Sequence, residues 1–208
     1  MTARTSWTAG PCPYPRWRRF TGHATRTDRG DKPLFVSVNL SARQFMQADL
    51  VGDVAAVLAE TGLDASALEL EITESVLMDQ SETGIRTLRR LRALGCRLVL
   101  DDFGTGYSSL SYLKHLPLDT IKIDRSFVAG IDEIADRSIV EAVVALAHGL
   151  GIGVVAEGIE TQRQAERLLE LGCDRGQGYL FSRPVPAART GFLLRASVAP
   201  SAILRRVG

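Results

Sequence analysis

Between Leu34 and Phe181 the chain repeats one device: a short apolar or β-branched run, then a longer stretch with helical period. The runs are Leu34–Val38, Leu68–Ile72, Arg97–Leu100, Thr120–Ile123, Gly153–Ala156 and, more weakly, Gly178–Phe181. Between them, Leu50, Val54, Val57 and Leu58 share one helix face, and Ile85, Leu88, Leu91 and Leu94 share another. Ile139, Val140, Val143, Val144, Ala147 and Leu150 make a broader apolar face, with Glu141 and His148 outside it. Thr161 followed by Gln164 reads as a capping box, and Gly95 and Gly151 read as helix stops. Strand–helix alternation of this kind predicts an α/β protein built on a parallel sheet covered by helices.

Two architectures satisfy that pattern, an open doubly wound sheet and a (β/α) barrel. Polar residues at the strand ends favour the barrel: Asn39, Glu71, Asp101 with Asp102, Lys122 and Glu157 lie at the ends of five successive runs. A barrel gathers the C-terminal ends of all its strands at one mouth, whereas an open sheet concentrates its site at one switch point. A complete barrel has eight strands in about 250 residues. Six strand–helix units are visible here, so the expectation is a TIM-type barrel that is incomplete, with about six of eight units.

The 208 residues are 45% hydrophobic and 24% charged, which suits one domain with a sizeable core. Aromatics are only 6%, so aliphatic side chains must fill that core. The net charge of +1 gives no reason to expect a nucleic-acid polymer or an anionic membrane as partner. Charge is uneven: residues 1–32 hold seven basic and two acidic side chains, a net of +5 that leaves −4 for the rest. This Pro- and Arg-rich leader, with Trp7 and Trp17, shows neither strand nor helix period and is expected to be irregular. It has no apolar segment of the signal-peptide kind, and no apolar run approaches about 18 residues, so the expected location is the cytoplasm. Cys12, Cys96 and Cys173 lack metal spacing and read as small hydrophobes of a reducing compartment.

The strand-end residues define a chemistry. Glu71, Asp101, Asp102 and Glu157 are carboxylates, Asn39 is a neutral oxygen donor and Lys122 is a cation. Converging carboxylates repel unless a cation joins them, and oxygen ligands without His or Cys suit Mg²⁺ or Mn²⁺. Adjacent Asp101 and Asp102 can serve two ions, the usual device for in-line attack on a phosphodiester, with lysine orienting the water. A single strand-end carboxylate is often no more than the cap of the next helix, so the argument rests on the whole set. Gly104 and Gly106, in the loop 102–109, read as shaping that site. His23, His115 and His148 lie away from these positions and read as surface residues.

Six segments carry a resemblance. They are Phe35-Val36-Ser37-Val38-Asn39-Leu40-Ser41, Leu70-Glu71-Ile72-Thr73-Glu74-Ser75 and Asp101 through Leu110, then Ile121-Lys122-Ile123-Asp124-Arg125-Ser126-Phe127, Val155-Ala156-Glu157-Gly158-Ile159-Glu160 and Gln177 through Pro184. In this order the chain resembles the EAL-domain family. The resemblance covers about residues 33–195, leaving residues 1–32 as leader and 196–208 as a tail. It implies a TIM-type barrel and hydrolysis of cyclic di-GMP to linear pGpG with Mg²⁺ or Mn²⁺, two ions in the family. By the same resemblance Asn39, Glu71, Asp101, Asp102 and Glu157 are metal ligands, with Asp101, Lys122 and Glu157 catalytic and Lys122 handling the nucleophilic water. Gln177 and Glu160 are substrate-binding, Glu160 toward a guanine edge, and Glu74 braces the loop that leads to the family's homodimer contact.

The Glu-Ala-Leu tripeptide that names the family does not occur in the sequence. Its glutamate is a metal ligand in the family, so the reading is of an N-terminally truncated domain with impaired turnover. The alternative expectation is a non-catalytic receptor for cyclic di-GMP or a protein-interaction module.

Overall fold

The computed structural model describes residues 35–74, 76, 82–104 and 113–184. The leader, the loop tip 105–110 and the tail lie outside the described residues, as do Cys12, His23, Trp7 and Trp17.

Six strands form one sheet: β1 (Val36–Leu40), β2 (Leu68–Thr73), β3 (Arg97–Phe103), β4 (Thr120–Ile123), β5 (Gly153–Ala156) and β6 (Arg175–Gly176). Every pairing is parallel, and the strands lie side by side in chain order. A doubly wound sheet reverses its order at a switch point, and this sheet does not, so the chain winds one way, as in a barrel. The sheet also curls. Arg175 on β6 reaches Glu69 on β2, with Nη1 3.5 Å from Oε1. In a flat sheet those strands would stand about 19 Å apart, four spacings of roughly 4.8 Å. Among the described residues β1 and β6 do not pair with each other, so the arc is an incomplete TIM-type barrel.

Alternation along each strand assigns its two faces. In β2, Leu68, Leu70 and Ile72 face the helices and are at most 2% exposed, while Glu69 and Glu71 face the interior. The helices are α1 (Ala42–Phe45), α2 (Leu50–Thr61), α3 (Glu82–Ala93), α4 (Arg125–Ala129), α5 (Ile134–Gly149) and α6 (Gln162–Glu170). Val54, Leu88, Leu91, Val140, Val144 and Leu168 bury their apolar stripes against the sheet. Each such side chain contributes about 1.5–3 kcal/mol of transfer free energy, so the shell of the domain holds the mouth residues in place. Thr161 and Gln164 form the expected capping box, and Gly95 and Gly151 follow helices with φ of +98° and +72°. No helix among the described residues is long and apolar enough to cross a membrane.

Four sequence expectations are corrected. The first strand lies two residues later than the apolar run, because its ladder pairs Val36 through Leu40 with β2. The third continues through Asp101, Asp102 and Phe103, because pairing to β4 extends past the apolar run. The last strand is Arg175–Gly176, and Gly178–Phe181 forms a turn closed by hydrogen bonds from Phe181 and Ser182 N–H to the Gly178 carbonyl. Ile139 and Leu150, placed on the apolar face of α5, are 40% and 38% exposed at its margins.

Cys96 and Cys173 are free and buried, and burial pushes their thiols up to about 11 and about 12 respectively. Asp124, between β4 and α4, caps the helix: its Oδ1 accepts from Ser126 N at 2.9 Å and from Ser126 Oγ at 2.6 Å. Partial burial raises its pKa, but the hydrogen bonds outweigh that and hold it below the ordinary carboxylate value. A depressed folded pKa contributes stability above the unfolded value, lost as pH falls through the folded one. Asp124→Ala is therefore expected to cost about 1 kcal/mol at neutral pH, as N-caps do, with the deficit shrinking toward acid. Urea titrations of both proteins at pH 7 and in the acid range check this, and a deficit independent of pH would deny the carboxylate its part.

Candidate active site

Lys122 is the centre of the mouth. It stands inward on β4, 3% exposed, and its Nζ lies 3.0 Å from Glu71 Oε1, 3.1 Å from Asp101 Oδ1 and in contact with Glu157 Oε1. Burial alone would push this ammonium toward the neutral amine and is the largest single influence. The fields of Glu71, Glu157 and Asp101 together, with a hydrogen bond to Glu157, outweigh it and hold the pKa above the ordinary lysine value. The sequence reading brought Glu71 and Glu157 to one mouth, and the structure places both on the same ammonium.

Asp101 and Asp102 are presented by a fault in the ladder. Leu100 pairs with Ile121 and Phe103 with Ile123, so two residues of β3 stand opposite the single residue Lys122. This is a β-bulge, and Asp102 takes a left-handed backbone with φ of +56°, the one non-glycine to do so among the described residues. Such a conformation costs energy in a residue with a Cβ and persists where the surroundings enforce it. Here the Asp102 backbone N–H donates to Asp101 Oδ1 at 3.1 Å, tying the Asp101 carboxylate to the backbone of the bulge.

Glu157 follows β5 and is 3% exposed. Gln177, the first residue after β6, donates from Nε2 to Glu157 Oε1 at 2.6 Å. The segments after β5 and β6 are stitched by bonds from Ile159 N to the Gln177 carbonyl, 3.1 Å, and from Leu180 N to the Ile159 carbonyl, 3.0 Å. A Cβ on Gly178 would lie 2.1 Å from that Ile159 oxygen, so glycine is required for the approach.

The other candidates surround this core. Asn39 stands beside Glu71 in register on β1 and is partly buried. Glu74 is 5% exposed, and its Oε2 accepts from Gly104 N at 3.4 Å, joining the end of β2 to the start of the glycine loop. Glu160 is exposed, with its N–H held by Gln164 Oε1 at 2.9 Å, and the structure does not bring it into the carboxylate cluster. His115 is exposed, and His148 pairs with Asp174 on the outer surface, Nε2 to Oδ2 3.0 Å.

Three buried carboxylates thus meet one ammonium with Asp102 beside them, so these four carboxylates and Lys122 carry a formal charge of −3 among the described residues. Uncompensated charge of this kind is costly, and a divalent cation relieves it. Asp101, Asp102 and Glu157 offer oxygens within 4.8 Å of one another, and Glu71 Oε2 is buried with no hydrogen-bond partner among the described residues. The donor set is all oxygen, so the residues present fit a hard cation.

A profile of the EAL domain matches residues 18–184. The chain belongs to the EAL domain family. The cyclic di-GMP phosphodiesterase NbdA of Pseudomonas aeruginosa is 49% identical over 168 residues, covering 80% of this chain and 22% of NbdA. The MucR phosphodiesterase of the same organism, solved in complex with c-di-GMP, superposes with a TM-score of 0.75 at 42% identity, over 84% of this chain and 70% of that one. The Klebsiella pneumoniae BlrP1 manganese and cy-diGMP complex gives a TM-score of 0.67 at 36% identity, over 72% of this chain and 39% of BlrP1. This chain spans between 20% and 26% of the length of the curated relatives it matches.

The EAL domain holds one set of interior residues that reading the sequence did not single out. Ser37, Glu69, Thr120 and Arg175 form a second polar layer below the mouth. The signal was present in Leu68-Glu69-Leu70-Glu71, where period two puts Glu69 on the same face as Glu71.

Proposed function

We propose that this EAL domain hydrolyses cyclic di-GMP to linear pGpG by water attack at one phosphodiester, with Mg²⁺ or Mn²⁺, two ions, as cofactor. The observation that carries this is the single buried ammonium of Lys122 held by Glu71, Asp101 and Glu157 beside Asp102. The likeness to NbdA and to the MucR complex supports the substrate, and that to BlrP1 supports the metal.

Glu71, Asp101, Asp102 and Glu157, with Asn39, would hold the ions, whose charge would activate water and neutralise the phosphoryl oxygens. Lys122 is protonated among its carboxylates, so its Nζ acts as a hydrogen-bond donor that orients the attacking water. The water oxygen bonds to phosphorus and one phosphorus–oxygen ester bond breaks; one water proton ends on the departing ester oxygen, which leaves as a hydroxyl, and the other passes to solvent. Gln177 keeps Glu157 in one orientation through its 2.6 Å bond. Glu74 holds the loop start at Gly104, and in our reading that loop leads to a homodimer contact. In our reading Glu160, exposed and outside the carboxylate cluster, would accept from a guanine edge. We place the domain in the cytoplasm, where buried free thiols such as those of Cys96 and Cys173 persist.

The test is turnover of cyclic di-GMP by the purified chain with Mn²⁺ and with EDTA, following the linear dinucleotide. Product that needs Mn²⁺ is expected. Tight binding without product would move the protein to the receptor reading, and neither binding nor product would remove cyclic di-GMP as its ligand.

A further inference from the structure

Beneath the mouth lies a polar layer whose members each sit two residues before a mouth residue, on the same strand or, for Gln177, just past its end. Ser37 precedes Asn39 on β1, Glu69 precedes Glu71 on β2, and Thr120 precedes Lys122 on β4. Arg175 precedes Gln177 at β6. In a strand, residues two apart share a face, so the lower layer stands directly below the upper one.

The lower layer is connected across the interior. Arg175 donates from Nη2 to Thr120 Oγ1 at 2.9 Å and lies 3.5 Å from Glu69 Oε1 through Nη1. Ser37 Oγ donates to Glu69 Oε2 at 3.0 Å. Arg97 Nη1 is 3.9 Å from Glu69 Oε1, and both guanidinium groups stand over the Phe35 ring, that of Arg97 at 5.6 Å and that of Arg175 at 5.2 Å from its centre. Glu69, Thr120 and Arg175 come from β2, β4 and β6, the alternate strands that contribute one layer of a barrel. Such layers are commonly filled by Val, Ile and Leu, whose contacts have no preferred angle. A guanidinium bonded to a carboxylate on one strand and a hydroxyl on another fixes distance and direction together.

We infer that Arg175 is a positioning residue: from the N-terminal ends of the strands it fixes β6 against β2 and β4, and so sets Gln177 on Glu157 and aligns Glu71 with Lys122. This rests on reading the upper layer as the metal and phosphodiester site. β6 needs the fixing more than any other strand, because it has two paired residues and only β5 beside it among the described residues. Arg175 touches no reacting atom. Its effect travels through two residues of backbone to Gln177.

The experiment compares Arg175→Met, Arg175→Lys, Thr120→Val and the double variant Glu69→Gln/Arg175→Met with the parent. The double variant removes both charges, so a carboxylate left buried and unpaired cannot account for its behaviour. Three readouts are taken: thermal unfolding, Mn²⁺ affinity by calorimetry, and the side-chain amide resonance of Gln177, assigned with Gln177→Asn. The expected result is that the double variant unfolds cooperatively near the parent temperature yet binds Mn²⁺ about tenfold to a hundredfold more weakly, the range for residues that orient metal ligands. Its Gln177 resonance moves toward that of a solvated glutamine. Thr120→Val shifts the resonance in the same direction, and Arg175→Lys restores part of both effects. An unchanged Gln177 resonance in the double variant, with Mn²⁺ affinity equal to the parent, would reduce the network to a stability role. The resonance needs neither metal nor substrate, so it still decides the inference in a protein that proves not to hydrolyse cyclic di-GMP.

Discussion

Asp101→Asn is expected to make this protein more stable and less able. In EDTA the substitution removes one of the three carboxylates that contact Lys122, lowering the formal charge of the described mouth, Asp102 included, from −3 to −2. Relief of like-charge repulsion in a buried setting raises stability, here by about 1 kcal/mol. The amide keeps the shape of the side chain and an oxygen for the Asp102 N–H. In Mn²⁺ the order reverses, because the parent gains stability by binding the ion and the variant gains less. Hydrolysis of cyclic di-GMP is expected to fall at least about 100-fold, as when a charge that stabilises the transition state is withdrawn. Melting in EDTA and in Mn²⁺, with product assays alongside, checks all three. A variant that melts lower than the parent in EDTA would show that Asp101 stabilises the fold through Lys122 more than it repels its neighbours.

Lys122→Met reverses the experiment. Methionine fits the slot but removes from Glu71, Asp101 and Glu157 the ammonium that all three contact. Breaking a buried ion pair by removing one partner costs about 3–5 kcal/mol, and here three carboxylates lose the same partner. The variant is expected to unfold far below the parent in EDTA and to recover much of the difference in Mn²⁺. Turnover stays lost even when the fold is restored, because the donor that orients water is gone. Recovery of the fold with recovery of turnover would assign Lys122 a purely structural part. A variant as stable as the parent in EDTA would contradict the account of the mouth as a cluster of buried negative charge.

The strands were legible where apolar residues and ladder pairing coincide. Thr120–Ile123 and Gly153–Ala156 are read to the residue, because their apolar residues run the length of the pairing. The reading failed where pairing continues through acidic residues, as at Asp101 and Asp102 in β3, and where a strand is two residues long, as in β6. The mouth was legible as strand ends carrying polar side chains. That Glu71, Asp101 and Glu157 share one ammonium was not, since it depends on curvature of the sheet. Glu69 and Arg175 are 106 residues apart, and no local pattern joins them. Glu160 shows the converse: it is adjacent in sequence to the mouth and lies outside its cluster.

The bulge in β3 makes the domain vulnerable to one kind of genetic change more than another. Without Asp102 the strand would run Leu100, Asp101, Phe103, with Asp101 opposite Lys122 and Phe103 still opposite Ile123. The loss of a single codon there would leave each apolar residue of the strand facing its present neighbours and would relieve the left-handed backbone. A reading frame shortened by three bases at that point would still encode a well-folded barrel, with one carboxylate subtracted from the mouth and little in its stability or solubility to reveal the change.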